Sequence, residues 1–214
     1  MSTAKEDGPP TAGKLLLEAA KVGKLKELRS LIAGKANIEE QDSLGNTPLH
    51  VAASNGHDGM VKELLEKGAN HSAKAKDAST PLHRAAAGGH EGAIRMLVMS
   101  FEASYSMRKA DRIDAMQVED KGNGFMGLLM KELGDRLRAP LQNGSTPLHE
   151  GGTPLHVAAS NGQATAMRIL LDAGAKKGGS DGGESPLHWA ATNGHEGAIL
   201  VLLEAGANKD SKTK

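Results

Sequence analysis

Cysteine is absent from the 214 residues. That removes disulfides, thiolate metal sites and a cysteine nucleophile, and it fits an intracellular protein, cytoplasmic or nuclear. Aromatic residues make up 2% of the chain, namely Phe101, Tyr105, Phe125 and Trp189, so any core must be built from Leu, Ala, Ile, Val and Met. Net charge is missing too: 26 basic residues face 26 acidic ones, which leaves no global field to draw in nucleic acid or an anionic membrane. No apolar run approaches the roughly 20 residues of a membrane span, and the opening MSTAKEDGPPTAG lacks the apolar stretch of a secretory signal. The chain is therefore expected to be soluble, without membrane insertion, with residues 1–11 a disordered leader and 209–214 a disordered tail.

Apolar residues, at 38%, suffice for a sizeable core, and the 27 glycines suit thin elements packed over tight turns. The glycines recur with a period. TPLHVAASNGHDG from Thr47 returns as TPLHRAAAGGHEG from Thr80, TPLHVAASNGQAT from Thr153 and SPLHWAATNGHEG from Ser185. Shifts of 33 residues separate the first two copies and 32 the last two. An apolar block follows each copy, with apolar positions three and four apart, so each unit reads as two short helices.

Thr47, Thr80, Thr153 and Ser185 each offer a side-chain oxygen to cap a first helix, and the proline after each stands where a missing N–H is harmless. The pairs Ala52/Ala53, Ala85/Ala86, Ala158/Ala159 and Ala190/Ala191 form helix readily and let neighbouring helices approach. Gly56, Gly89, Gly162 and Gly194 follow at a constant interval as left-handed helix ends. Helices this short are marginal alone, so stacking must hold them. Motif, period and glycine phase together resemble the ankyrin repeat family, whose signature includes T-P-L-H-x-A. The resemblance implies an all-α solenoid of paired short antiparallel helices joined by hairpin-like loops, over residues 12–208.

Within that span the units are expected at 12–40, a capping repeat that carries Ala19/Ala20 and Gly23 but no Thr-Pro, then 41–73, 74–102, 153–179 and 180–208. Pro81 and Pro147 are 66 residues apart, two periods, so one further repeat fits between them in register. It is read at 103–139 as a degenerate repeat: Asp114 replaces the proline, Val118/Glu119 replace the alanine pair, and Phe101 replaces the preceding helix-ending glycine. The segment Phe125–Arg138 places Met126, Leu129, Met130, Leu133 and Leu137 on one helical face, as the second helix of that unit or as a partner-docking segment. Thr-Pro-Leu-His occurs twice near its end. The copy at Thr146 is followed by Glu-Gly-Gly and cannot supply the alanine pair, so Thr153 is expected to cap the next helix and 140–152 to form an extended loop.

Eight of the nine histidines fall at repeat positions. His50, His83, His149, His156 and His188 belong to the tetrapeptide; His57, His90 and His195 follow the helix-ending glycine; His71 is a lone loop residue. Equivalent residues in successive layers should stand about 10 Å apart, too far to share an ion at ligand distances of about 2 Å. The motif histidines are therefore expected to pack and to hydrogen-bond turn backbone. No nucleophile elbow, phosphate-binding glycine loop or His-Glu-x-x-His occurs, so neither enzyme activity, nor a cofactor, nor a metal is expected.

What the resemblance implies is a non-enzymatic interaction module or adaptor, monomeric by itself, binding another protein through the concave face and loop tips. On that surface the non-motif positions are Asp42, Ser43, Leu44, Asn46, Val51, Ser54 and Asn55, then Lys76, Asp77, Ser79, Arg84 and Ala87, and later Val157, Ser160, Asn161, Trp189, Thr192 and Asn193. Trp189 is expected to project toward the concave face as an anchor, with packing over a neighbouring helix as the alternative. Two further readings stand beside the adaptor: a regulatory or inhibitory subunit, and a fragment of a larger ankyrin-containing enzyme or channel.

Overall fold

A computed structural model describes residues 10–100, 152–179 and 183–210, and every regular element among them is a helix. In chain order these are α1 (Ala12–Val22), α2 (Leu25–Ala33), α3 (Pro48–Ser54), α4 (Asp58–Glu66), α5 (Pro81–Gly88), α6 (91–100), α7 (Pro154–Ser160), α8 (Ala164–Asp172), α9 (Pro186–Thr192) and α10 (Glu196–Glu204). The helices start where local chemistry says they should. Thr47, Thr80, Thr153 and Ser185 hold extended backbone at the N-cap, with proline directly after. Thr153 accepts a hydrogen bond from the amide of His156, so the second of the two neighbouring tetrapeptides caps α7; Thr146 lies outside the described residues. Thr11, expected in a disordered leader, instead caps α1 by accepting from the amide of Lys14 at 3.2 Å. Its hydroxyl relieves an otherwise orphaned N–H, which fixes the chain one residue earlier than the pattern of Ala12 onward implied.

The first helices are only seven or eight residues long in the Thr/Ser-Pro units, too short to persist in water unaided. They persist by stacking in series: α1 against α3, α3 against α5, α5 against α7, α7 against α9. Leu16, Leu49, Leu82 and Leu155, with the alanines Ala20, Ala53, Ala86 and Ala159, form a continuous buried seam between them. Leu28, Leu64, Leu97, Leu170 and Leu202 close the same core from the second helices. Cross-layer ion pairs line the outside, Arg29 with Glu63 at 2.6 Å and Arg168 with Glu204 at 2.8 Å.

The degenerate repeat at 103–139, with Phe101 before it and most of the loop 140–152 after it, lies outside the described residues. The layers on either side of that stretch nevertheless touch each other, α5 directly against α7. A helical layer between them would hold them apart by about another 10 Å. Among the described residues the helix of the Thr80 unit is thus in direct contact with that of the Thr153 unit.

Candidate recognition surface

The first loop is built by one carboxylate. Asp42 accepts from the amides of Leu44 and Asn46, each at 2.8 Å, and from the Asn46 side-chain amide at 2.9 Å. These bonds replace water on a short polar turn and carry the tip out to Leu44, whose side chain is 61% exposed. Partial burial works against the Asp42 charge, but the hydrogen bonds from Asn46 and Leu44 and the nearby Arg84 outweigh it, so its carboxyl titrates below the ordinary value of 3.8.

In the second loop Asp77 plays the matching part, accepting from the Ser79 amide at 3.0 Å and its hydroxyl at 2.6 Å. The Lys76 amide then donates to the Leu44 carbonyl at 2.9 Å, joining the two tips. Arg84 on α5 completes the joint by donating to Asn46 Oδ1 and Asp77 Oδ2, each at 3.1 Å. Seven of the sequence-predicted positions, Asp42, Leu44, Asn46, Lys76, Asp77, Ser79 and Arg84, thus meet in one network that locks two loops to one helix.

Along the helix edge Val51, Ala87 and Val157 are half-buried, while Ser43, Ser54, Asn55, Lys76, Asn161, Thr192 and Asn193 are exposed. Asn55, Asn161 and Asn193 use their side-chain N–H groups on the carbonyls of Val51, Val157 and Trp189, each at 2.8 Å, so their free faces are rigid ones. Three expected surface residues are not surface. Ser79 is buried because its own carbonyl and hydroxyl are drawn into the loop and toward His50. Ser160 is buried under the next layer, where its carbonyl meets His195 and its hydroxyl meets Asn193.

Trp189, the expected anchor, is the third correction. Its ring is only 7% exposed, and its N–H donates to Glu184 at 2.8 Å. It stands edge-on to the His156 ring, centroids 5.2 Å apart at 69°. It also lies over Gly152, where a Cβ would come within 2.7 Å of the indole. The large ring folds back onto the preceding layer because a glycine there leaves it room and a carboxylate takes its N–H.

Behind this surface the tetrapeptide histidines are structural. His50 Nδ1 lies 3.2 Å from the Thr47 amide and 2.9 Å from its hydroxyl, while Nε2 lies 3.1 Å from the Ser79 carbonyl of the next unit. A carbonyl can only accept, so Nε2 carries the proton and Nδ1 is the acceptor. His156 repeats the arrangement with Thr153 and the Glu184 carbonyl. Burial holds both imidazoles neutral, down to about 4 from 6.5, against the opposing pull of those carbonyls. Among the described residues no group of three or more His, Asp or Glu is arranged to hold a metal ion, and no helix is long and apolar enough to cross a membrane.

Sequence reasoning passed over Lys74 and Lys176, exposed cations on the loops, and Leu200, which is 59% exposed on α10. The signal for Leu200 was in the repeat itself: it occupies the column of Lys62, Arg95 and Arg168.

The stacked helix pairs with capped Thr-Pro starts define a repeat solenoid, and comparison with known proteins gives its class. A model of ankyrin repeats in three copies matches residues 16–109 and 123–213. The chain belongs to the ankyrin repeat family, whose repeats are protein-interaction modules. Over 64 residues, 30% of this chain, it is 46% identical to GA-binding protein subunit beta-2 of Mus musculus, covering 15% of that protein. It is 44% identical over 64 residues to GA-binding protein subunit beta-1 of Homo sapiens, covering 30% of this chain and 16% of that protein. A similar match, 41% over 66 residues, covers 30% of this chain and 7% of oxysterol-binding protein-related protein 1 of Rattus norvegicus. In each case the match spans only a small part of the relative's length.

Proposed function

We propose that the chain is a non-enzymatic interaction module that binds a partner protein through its loop tips and the exposed edge of its first helices. The observation that carries this reading is the Asp42–Asn46–Arg84–Asp77 network, which holds an exposed Leu44 on a rigid, cross-braced tip. Rigid presentation lowers the ordering cost of binding, and an apolar side chain held out of the core gains by being covered. A subunit role fits the likeness to the beta subunits of GA-binding protein. The relatives named for oxysterol binding share the same kind of repeat over 7% of their length, so the repeat by itself carries no claim on that ligand. Because similar arrays stand within much longer proteins, the same surface would serve equally as the recognition part of a larger assembly.

The test compares capture by the whole chain with capture by variants. A partner retained by the native chain and by Leu200→Arg, on α10, should be lost with Leu44→Asp and weakened with Arg84→Glu. Loss with Leu200→Arg alone would move binding off the tips and refute the reading.

A further inference from the structure

We infer that two copies of this chain join through the outer face of their last layer, α9 and α10, in place of the monomer the sequence suggests. Every earlier layer is closed by its successor in the same columns. Ala20, Ala53, Ala86 and Ala159 are fully buried, whereas Ala191 in that column is exposed. Leu16, Leu49, Leu82 and Leu155 are buried, while Leu187 is only half-buried. A Cβ on Gly23, Gly56, Gly89 or Gly162 would collide with His57, His90, Gln163 or His195 of the next layer, but one on Gly194 would meet nothing within 4 Å. The stacking seam of the interior thus continues onto this face.

An open end alone does not choose an occupant, but Leu200 does. Its column holds Lys62, Arg95 and Arg168 in earlier layers, and there Arg168 pairs with Glu204 of the following layer just as Arg29 pairs with Glu63. Where those cations reach for the next layer, the last one carries a leucine that is 59% exposed, with Leu203 one turn on at 42%. Terminal layers of repeat solenoids need a polar outer face to stay soluble alone, and this one is apolar where its predecessors are charged.

The other end of the chain does not fit the part. Lys24 stands in the column of His57, His90, Gln163 and His195, which reach back over the preceding layer, and Lys26 stands in the column of Gly59 and Gly92. Both lysines are exposed, and so is Lys21 beside Val22, the most exposed apolar side chain of the first layer. That end meets water with charge. The second copy therefore presents its own last layer, and a two-fold axis runs the two α10 helices antiparallel, setting Leu200 of each beside Leu203 of the other. Ala191 and Gly194 leave room for the close approach. Leu44 belongs to a layer away from this face, so the pair displays two sets of loop tips.

The experiment measures the mass of the whole chain by light scattering on a sizing column. At about 100 µM the native chain should approach twice 22.2 kDa and dissociate on dilution. Leu200→Glu and Leu203→Glu, each first shown by circular dichroism to remain folded, should weaken the association at least about tenfold, and Val22→Asp on the first layer should leave it unchanged. A single spin label on Lys209→Cys should lie within about 30 Å of its counterpart, whereas head-to-tail joining would separate the labels by the length of the stack, about 50 Å. A monomer at the highest concentration, a dimer indifferent to both leucine substitutions or broken by Val22→Asp, or labels at the longer distance would each overturn the inference.

Discussion

Gln163 lies over Gly89 in the position that His57 takes over Gly23, His90 over Gly56 and His195 over Gly162. A Cβ on Gly89 would stand 2.7 Å from Gln163 Cδ, just as one on Gly23 would stand 2.9 Å from His57 Cε1 and one on Gly162 2.8 Å from His195 Nδ1. The three histidines reach back to the carbonyls of Lys21, Ser54 and Ser160, at 3.2, 2.9 and 2.9 Å. Gln163 fills the same cross-layer slot, although Thr80 and Thr153 are 73 residues apart in sequence. Gln163→Ala should therefore destabilise the chain by about 1 kcal/mol, and Gln163→His should match or exceed the native stability in urea unfolding. Equal midpoints for all three proteins would show that the slot carries no energy.

Ala78 stands where the first loop has Gly45, and both are left-handed, φ 59° and 79°. The methyl group of alanine clashes with the backbone there, whereas glycine does not. Ala78→Gly should stabilise by about 0.5 to 1 kcal/mol, after the larger entropy of the unfolded glycine chain is subtracted. Gly45→Ala should do the reverse and more strongly, since its Cβ would meet the Lys76 amide nitrogen at 2.9 Å. Calorimetric melting of the two variants decides, and a lowered midpoint for Ala78→Gly contradicts the argument.

The buried histidines set an acid limit. His50 and His156 are held near 4 when folded but return to about 6.5 when unfolded, so below 6.5 the unfolded chain binds protons the folded chain refuses. Their contribution is complete above that value and disappears as pH falls toward 4. On the order of 3 kcal/mol per histidine is lost at the acid end, at about 1.4 kcal/mol per pH unit. Urea midpoints should drop steadily across that window, while the ring signals of both residues in NMR remain those of neutral imidazole at about pH 5. Protonated rings at that pH in a chain still folded would contradict it.

Trp189 reports on the packing that removed it from the surface. Its fluorescence should be blue-shifted and resistant to iodide, and Trp189→Ala should cost about 3 kcal/mol through lost burial. A red-shifted, readily quenched signal would place the ring in water instead.

Helix starts, alanine seams and left-handed turns were legible because each is fixed within a few residues: Thr47 with Pro48, Ala52 with Ala53, Gly56. The tip residues were legible for the same reason, since Asp42 and Asn46 organise their own loop. Trp189 was not, because its burial depends on Gly152 and His156 in the preceding layer, which no pattern within its own unit reveals. Ser160 was lost for the same cause, through His195 and Asn193. The direct seating of α7 on α5 escaped because Pro81 and Pro147 happen to lie two periods apart. The repeat read at 103–139 lies outside the described residues.

That continuity makes the tips and helix edges on both sides of the 73-residue interval one surface, and it can be measured directly because the chain has no cysteine. Asn55 and Asn161 are equivalent exposed positions, the C-caps of α3 and α7. With both replaced by cysteine and spin-labelled, electron–electron double resonance should give a narrow distribution near two layer spacings, about 20 Å. A distribution centred near three spacings, about 30 Å, would mean that another layer stands between them and that the surface is not the one described.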